Sequence, residues 1–310
     1  MTRIFIIVSL VVLFFGFDAQ SNYKLEKLAD GFTFVEGPVW VDGKLLFSDI
    51  PENTIYAWTE DTGTEVYYKP SGNSNGLALD AEGNLILAQH GKRRVAKLTK
   101  DKDEILLVDN YNGKPFNSPN DLTVDSRGSI YFTDPPYGIS KEQEELGFYG
   151  IYKFTSEGDL YLLDSTLIRP NGIILSPDED KLIVSDSQEK TLFIWDIVND
   201  STITNKSILV EMDKSLEGTT DGMKLGRDGL IYSTGPGGIW IINLDGEVIE
   251  KIDVPGQTTN CNWGPNGEVL YITSGDAVYS LDAKLRIIDQ LGIPGSLLSK
   301  LSCLKKLRGC

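Results

Sequence analysis

Short apolar runs dominate the chain, broken every ~10 to 20 positions by Gly, Asn, Asp or Pro, and long 3.6-period stretches are scarce. The stretch SPNDLTVDSRGSIYFTD at 118–134 shows the unit. A polar pair opens an apolar run, Asp-Ser-Arg-Gly makes a turn, and a second apolar run follows, which predicts a β-hairpin. The same arrangement recurs as EGPVWVDG (36–43), NGLALDAEG (75–83), NDLTVDSRG (120–128), NGIILSPDE (171–179), DGMKLGRDG (221–229) and TNCNWGPNG (259–267). The spacing is about 45 residues, the period of propeller blades and helical arrays. Further strand-like runs follow each hairpin, as at 151–154, 192–197 and 239–242. The pattern therefore predicts an all-β, six-bladed β-propeller. No composition break divides it, so residues 21–292 are read as one domain. The segment 23–35 precedes the first repeat and is expected to add a strand to the last blade, hiding the sheet edges. The insertion 135–150 is expected to be a surface loop or lid.

Equivalent positions in a ring of blades face one axis at one height. The first residues of the repeats thus form a polar circle: Glu36, Asn75, Asn120, Asn171 and Asp221, with Thr259 or Asn260 from the last blade. Buried carboxylates need partners or a metal. This circle is made of oxygen-bearing side chains, without His or Cys, and its two carboxylates and neutral amides suit a hard cation. Ca²⁺ takes six to eight such oxygens, Mg²⁺ and Mn²⁺ are alternatives, and Zn²⁺ prefers nitrogen and sulfur. The competing reading is that these residues cap strand ends, since Asn-Gly and Asp-Gly are also ordinary turn dipeptides. A second circle is expected at the ends of the second strands: Asp49, Gln89, Asp134, Asp186, Gly235 and Thr273. Its expected work is structural hydrogen bonding, facing loops or the opposite rim.

Composition and charge narrow the picture. The chain has 310 residues, 41% of them hydrophobic, and a net charge of −16, which argues against nucleic acid. Arg3, the 14-residue apolar run at 4–17 and small residues near Ala19 read as a signal peptide over 1–20, giving a secreted or periplasmic protein with no other membrane association. An uncleaved anchor is the alternative. Cys261, Cys303 and Cys310 make neither a disulfide framework nor a zinc spacing, and residues 293–310 read as a basic tail. The sequence GNSNG at 72–76 fits G-x-S-x-G, but a strand rather than a helix is expected after it, which excludes a nucleophile elbow.

The strings VEGPVW (35–40), SPNDLTVDSRGSIYFTDPPYG (118–138), RPNGIILSPDED (169–180) and DGMKLGRDGLIYSTGPGGIW (221–240) resemble the gluconolactonase and senescence-marker-protein (regucalcin) family. The resemblance implies a six-bladed propeller with a central divalent cation that hydrolyses sugar lactones. It implies Glu36, Asn171 and Asp221 as metal ligands, Asp221 also as general base, and Asn120 as a ligand or substrate contact. Asp121 is the second choice of base. Asn120, Asn75, His90 and Tyr137 are expected to meet the sugar hydroxyls. The family's substrate-contacting Arg before the Asn-Asp motif is Ser118 here, which leaves the substrate open, and Arg93 or Arg94 could guide an anionic one. The rival readings are a non-catalytic carbohydrate- or protein-binding propeller with a structural calcium, and an arylesterase at the same ion.

Overall fold

The computed structural model describes residues 23–283. The expected signal segment, the basic tail, Cys303 and Cys310 lie outside the described residues. Six four-stranded antiparallel sheets make six blades. From axis to rim, blade one is Val35–Val41, Lys44–Asp49, Thr54–Thr59 and Gly63–Tyr68. Blade two is Ser74–Leu79, Leu85–Gln89, Arg94–Leu98 and Glu104–Val108. Blade three is Leu122–Val124, Ile130–Asp134, Gly150–Phe154 and Leu160–Asp164, and blade four is Pro170–Leu175, Lys181–Asp186, Thr191–Asn199 and Thr202–Glu211. Blade five is Met223–Leu225, Ile231–Gly235, Gly238–Ile242 and Val248–Asp253. Blade six is Thr258–Trp263, Val269–Ser274 and Ala277–Asp282, completed at the rim by Lys24–Asp30 from the start of the propeller. This shared blade ties the two ends of the ring together. The innermost strands touch in the order one to six, and the sixth touches the first.

The apolar runs have a simple cause. Successive side chains of a strand point to opposite faces, and a blade has a neighbour on both. Ile130 and Phe132 pack with Ile86 and Val95 of blade two, whereas Tyr131 between them packs with Ile173 and Val184 of blade four. Each of the other blade interfaces has a comparable cluster, including Phe47 with Tyr271 and Val278 where blade one meets blade six. Trp40 stacks on Tyr271 across that closure, with ring centroids 5.1 Å apart. Outer strands lose one neighbour and turn polar or exposed, as in the burial of Gly63–Tyr68 and Thr202–Glu211.

The Asn-Gly and Glu-Gly dipeptides are not turns. Glu36, Asn75 and Asn171 lie inside innermost strands, each at a register shift of the pairing. Such bulges add a residue to one strand and redirect its side chain. The glycine that follows answers to crowding at the axis: a Cβ on Gly172 would stand 2.2 Å from the Asp221 carbonyl oxygen. In blades three and five the strand starts later, so Asn120-Asp121 and Asp221-Gly222 lie just upstream of it.

Candidate metal and active site

Glu36, Asn75, Asn120, Asn171 and Asp221 are all buried, at 3 to 6% exposure, and line one pocket of about 520 Å³ on the axis. Their backbones are clamped by the neighbouring blades. Ser48 Oγ donates to the Asn75 carbonyl at 2.9 Å, Thr133 Oγ1 to that of Asn171 at 2.7 Å, and Ser185 Oγ to that of Asp221 at 2.9 Å. The Gly76 N–H donates to the Asn120 carbonyl at 2.8 Å. A hydroxyl in the second strand of one blade thus fixes the pocket residue of the next.

The side-chain oxygens are treated differently. Asn75 Oδ1, Asn120 Oδ1, Asn171 Oδ1 and Asp221 Oδ1 are buried with no hydrogen-bond partner. Asn171 is oriented for this: its Nδ2 donates to Ser187 Oγ at 3.0 Å, and Ser187 Oγ donates to the Thr220 carbonyl at 2.7 Å. Glu36 Oε2 accepts the Gly37 N–H at 2.8 Å. Buried unpaired acceptors are costly and call for an explanation such as an ion. Burial, followed by the Asp121 charge, raises the Glu36 carboxyl to about 7, against the Gly37 N–H, Asn260 and Asp221. Burial, then the charges of Glu36 and Asp121, push Asp221 well above the carboxylate range. Among the described residues no three His, Cys, Asp or Glu side chains are placed to share one ion. The donor set is instead carboxylate plus carboxamide oxygen, which fits a hard divalent cation.

Asp121 takes another position. It does not line the pocket. Its Oδ1 accepts the Leu122 N–H at 2.8 Å, and its Oδ2 accepts Asn260 Nδ2 at 3.2 Å, from the blade opposite across the ring. Asp121 and Asn260 stand where the other blades have glycine, and their hydrogen bond spans the ring. A Cβ on Gly222 would lie 2.0 Å from the Asn260 amide. Thr259 Oγ1 donates to the Val35 carbonyl at 2.8 Å and is no part of the pocket wall.

His90 and Tyr137 do line the pocket. Burial lowers His90 to about 4, so the ring is neutral at neutral pH, and its Nδ1 is buried without a partner. Tyr137 brings the 135–150 insertion to the pocket rim. Burial, then the Asp221 charge, raises its hydroxyl to about 12, so it stays protonated as a donor.

The second circle sits on the same rim as the pocket and not on the opposite one. Asp49 accepts the N–H groups of Thr33 and Phe34, Asp134 those of Asn117 and Ser118, and Asp186 those of Ile168 and Arg169. Each carboxylate caps the chain two or three residues before a pocket residue. In blade six the strand end is Ser274, paired with Thr258, rather than the expected Thr273. Ser74 of the GNSNG string opens a strand, with no helix after it.

Neither Arg93 nor Arg94 lines the pocket. Arg93 donates to the Phe116 and Asn117 carbonyls, and Arg94 pairs with Glu104. Ser118 is buried and accepts the Gly138 N–H at 3.1 Å. The cations at the pocket are Arg169 and Lys190 of blade four, which stand beside Ser187, Gln188 and Gln257. The repeat pattern passes over these residues because they lie in loops between strands. Their one signal is that they directly precede a first strand or follow a second one.

Residues 34–276 match the SMP-30/Gluconolactonase/LRE-like family region. A gluconolactonase of Zymomonas mobilis is 37% identical over 289 residues, covering 84% of this chain and 81% of that one. The solved gluconolactonase of Xanthomonas campestris superposes with a TM-score of 0.79 at 30% identity, over 84% of this chain and 90% of that one. Regucalcin of Agrobacterium tumefaciens, a calcium-binding protein, has a TM-score of 0.70 at 20% identity over 82% and 92% of the two chains, a likeness of fold alone. Repeat register, pocket and similarity agree, and the chain belongs to the SMP-30/gluconolactonase/LRE-like family of six-bladed propellers.

Proposed function

We propose that the protein is a lactone hydrolase whose axial pocket holds a divalent cation, Ca²⁺ before Mg²⁺ or Mn²⁺, on Glu36, Asn120, Asn171 and Asp221, and opens sugar lactones. The observation that carries this reading is the set of buried, unpartnered oxygens on Asn120, Asn171 and Asp221, gathered beside Glu36 in one pocket. The gluconolactonase relatives support the reaction class. A cation bound there supplies positive charge that polarises the lactone carbonyl and stabilises the developing oxyanion.

The chain's own residues supply the rest. Water adds to the carbonyl carbon, the ring C–O bond breaks, and the ring oxygen leaves as a hydroxyl. Asp221 accepts the proton of the attacking water and returns it to the ring oxygen. Asp221 is preferred to Asp121 because it lines the pocket, whereas Asp121 is committed to Leu122 and Asn260. Asn75, the neutral His90 and the protonated Tyr137 hydroxyl offer hydrogen bonds to sugar hydroxyls. Export, directed by the 4–17 segment, belongs to the same proposal.

The test is hydrolysis of D-gluconolactone before and after exhaustive chelation. Activity is expected to disappear with the metal and to return on adding CaCl₂. Hydrolysis that survives complete metal removal contradicts the proposal. A protein that binds calcium but opens no lactone or aryl ester is a binding propeller.

A further inference from the structure

The pocket wall contributed by blade four is cationic in a protein whose net charge is −16. Arg169 and Lys190 both line it. Among the described residues neither has a carboxylate within ion-pair distance. Arg169 lies over the Tyr137 ring, 5.5 Å from guanidinium to centroid. Lys190 Nζ is held by the Leu216 carbonyl at 2.7 Å and reaches that of Lys214 at 3.4 Å. Among the described residues most other cations, such as Lys153, Lys181 and Arg127, are paired with acids.

The wall is also built. Asp186, fully buried, accepts the N–H groups of Ile168 and Arg169 on one side and of Gln188 and Glu189 on the other. One carboxylate therefore fixes the chain carrying Arg169 and the loop leading to Lys190. The Ser187 N–H donates to the Arg169 carbonyl at 3.0 Å and locks the two together. Guanidinium and ammonium groups held on carbonyls and an aromatic face keep donors for an anion, and Arg suits planar or tetrahedral oxyanions.

We propose that this wall is an anion subsite, and that the preferred substrate is a sugar lactone bearing a second, anionic group, carboxylate or phosphate, remote from the lactone carbonyl. The inference rests on the lactonase reading. With the floor carboxylates offset by a bound dication, the remaining field at the pocket mouth is positive and steers such a substrate inward.

The experiment compares kcat/KM for D-gluconolactone, its terminal phosphate ester and its terminal carboxylate analogue, using metal-loaded protein. The anionic lactones are expected to be preferred about 10-fold or more at low salt, and the preference to shrink with added NaCl. The doubly substituted Arg169→Gln/Lys190→Gln protein is expected to lose that preference, a fall of about 10-fold or more in the selectivity ratio, with Arg169→Lys recovering part of it. Thermal melting verifies that the variants fold. Preference for one anionic analogue over the other identifies the group. If D-gluconolactone is opened but neither anionic analogue is favoured, or the double variant loses all three alike, the subsite is refuted and the lactonase reading stands. If no lactone is opened, the lactonase reading fails and the subsite with it.

Discussion

Two rings of buried acids and amides circle the same axis a few residues apart, and hydrogen bonding separates them. Asp49, Asp134 and Asp186 are almost wholly buried, and each accepts at least two backbone N–H groups. Asn120, Asn171 and Asp221 are similarly buried, yet each presents an oxygen with no partner. Residue type and burial do not tell the rings apart. What differs is whether the fold spends the group on itself. A saturated carboxylate stabilises the blade that carries it, whereas an unpartnered one costs stability until a ligand arrives.

The sharpest way to break this comparison is to change one member of each ring. Asp221→Asn is expected to lower kcat by about three orders of magnitude, combining the loss of a base and of ligand charge. The same change is expected to stabilise the metal-free protein by about 1–3 kcal/mol, because it removes a buried ionisable carboxyl that burial and the neighbouring Glu36 disfavour. Asp134→Ala is expected to act in the opposite sense, destabilising by about 2–4 kcal/mol as the Asn117 and Ser118 N–H groups lose their acceptor. Thermal or urea unfolding of the two metal-free variants checks the signs. Equal destabilisation would erase the distinction between the rings.

A smaller effect is expected from Asn120→Ala, which deletes one unpartnered oxygen. Calcium affinity should fall at least about 10-fold by titration calorimetry, the scale associated with even outer-sphere changes at metal sites. Asp134→Ala should move the affinity of the folded fraction far less.

The least dramatic prediction concerns pH. Glu36 and Asp134 are raised to about 7, and Asp221 is raised well above its usual range. A carboxyl whose folded pKa exceeds its unfolded value holds its proton more tightly when folded. The stability it lends is full below the unfolded value of about 4 and is lost as pH rises through the folded one. The melting temperature of metal-free protein should therefore fall between about pH 5 and pH 8. Saturating calcium should flatten most of that slope, because it neutralises Glu36 and Asp221. Asp134 supplies the remainder.

The repeat made the blades and the first ring legible in the sequence, since an acid or amide before glycine recurs in register at Glu36, Asn75, Asn171 and Asp221. The reason for that glycine was hidden. Read locally it signals a turn, and only the ring shows that the next blade fills the space a Cβ would take, with backbone at Gly37 and Gly172 and with the Asn260 side chain at Gly222. The bridge from Asp121 to Asn260 was equally hidden, because it joins residues 139 positions apart through ring closure alone. Arg169 and Lys190 left no periodic trace, because loops on a propeller rim answer to the ligand and not to the blade repeat. In blade six the residue at the second strand's end is Ser274, because it is the one that pairs with Thr258 at the start of the first strand.

The most direct measurement is an anomalous-scattering map from crystals of the protein grown with calcium. One strong peak is predicted in the axial pocket, about 2.3–2.6 Å from oxygens of Glu36, Asn120, Asn171 and Asp221. A pocket without a peak at saturating calcium, with those four side chains satisfied by one another or by water, would contradict the account.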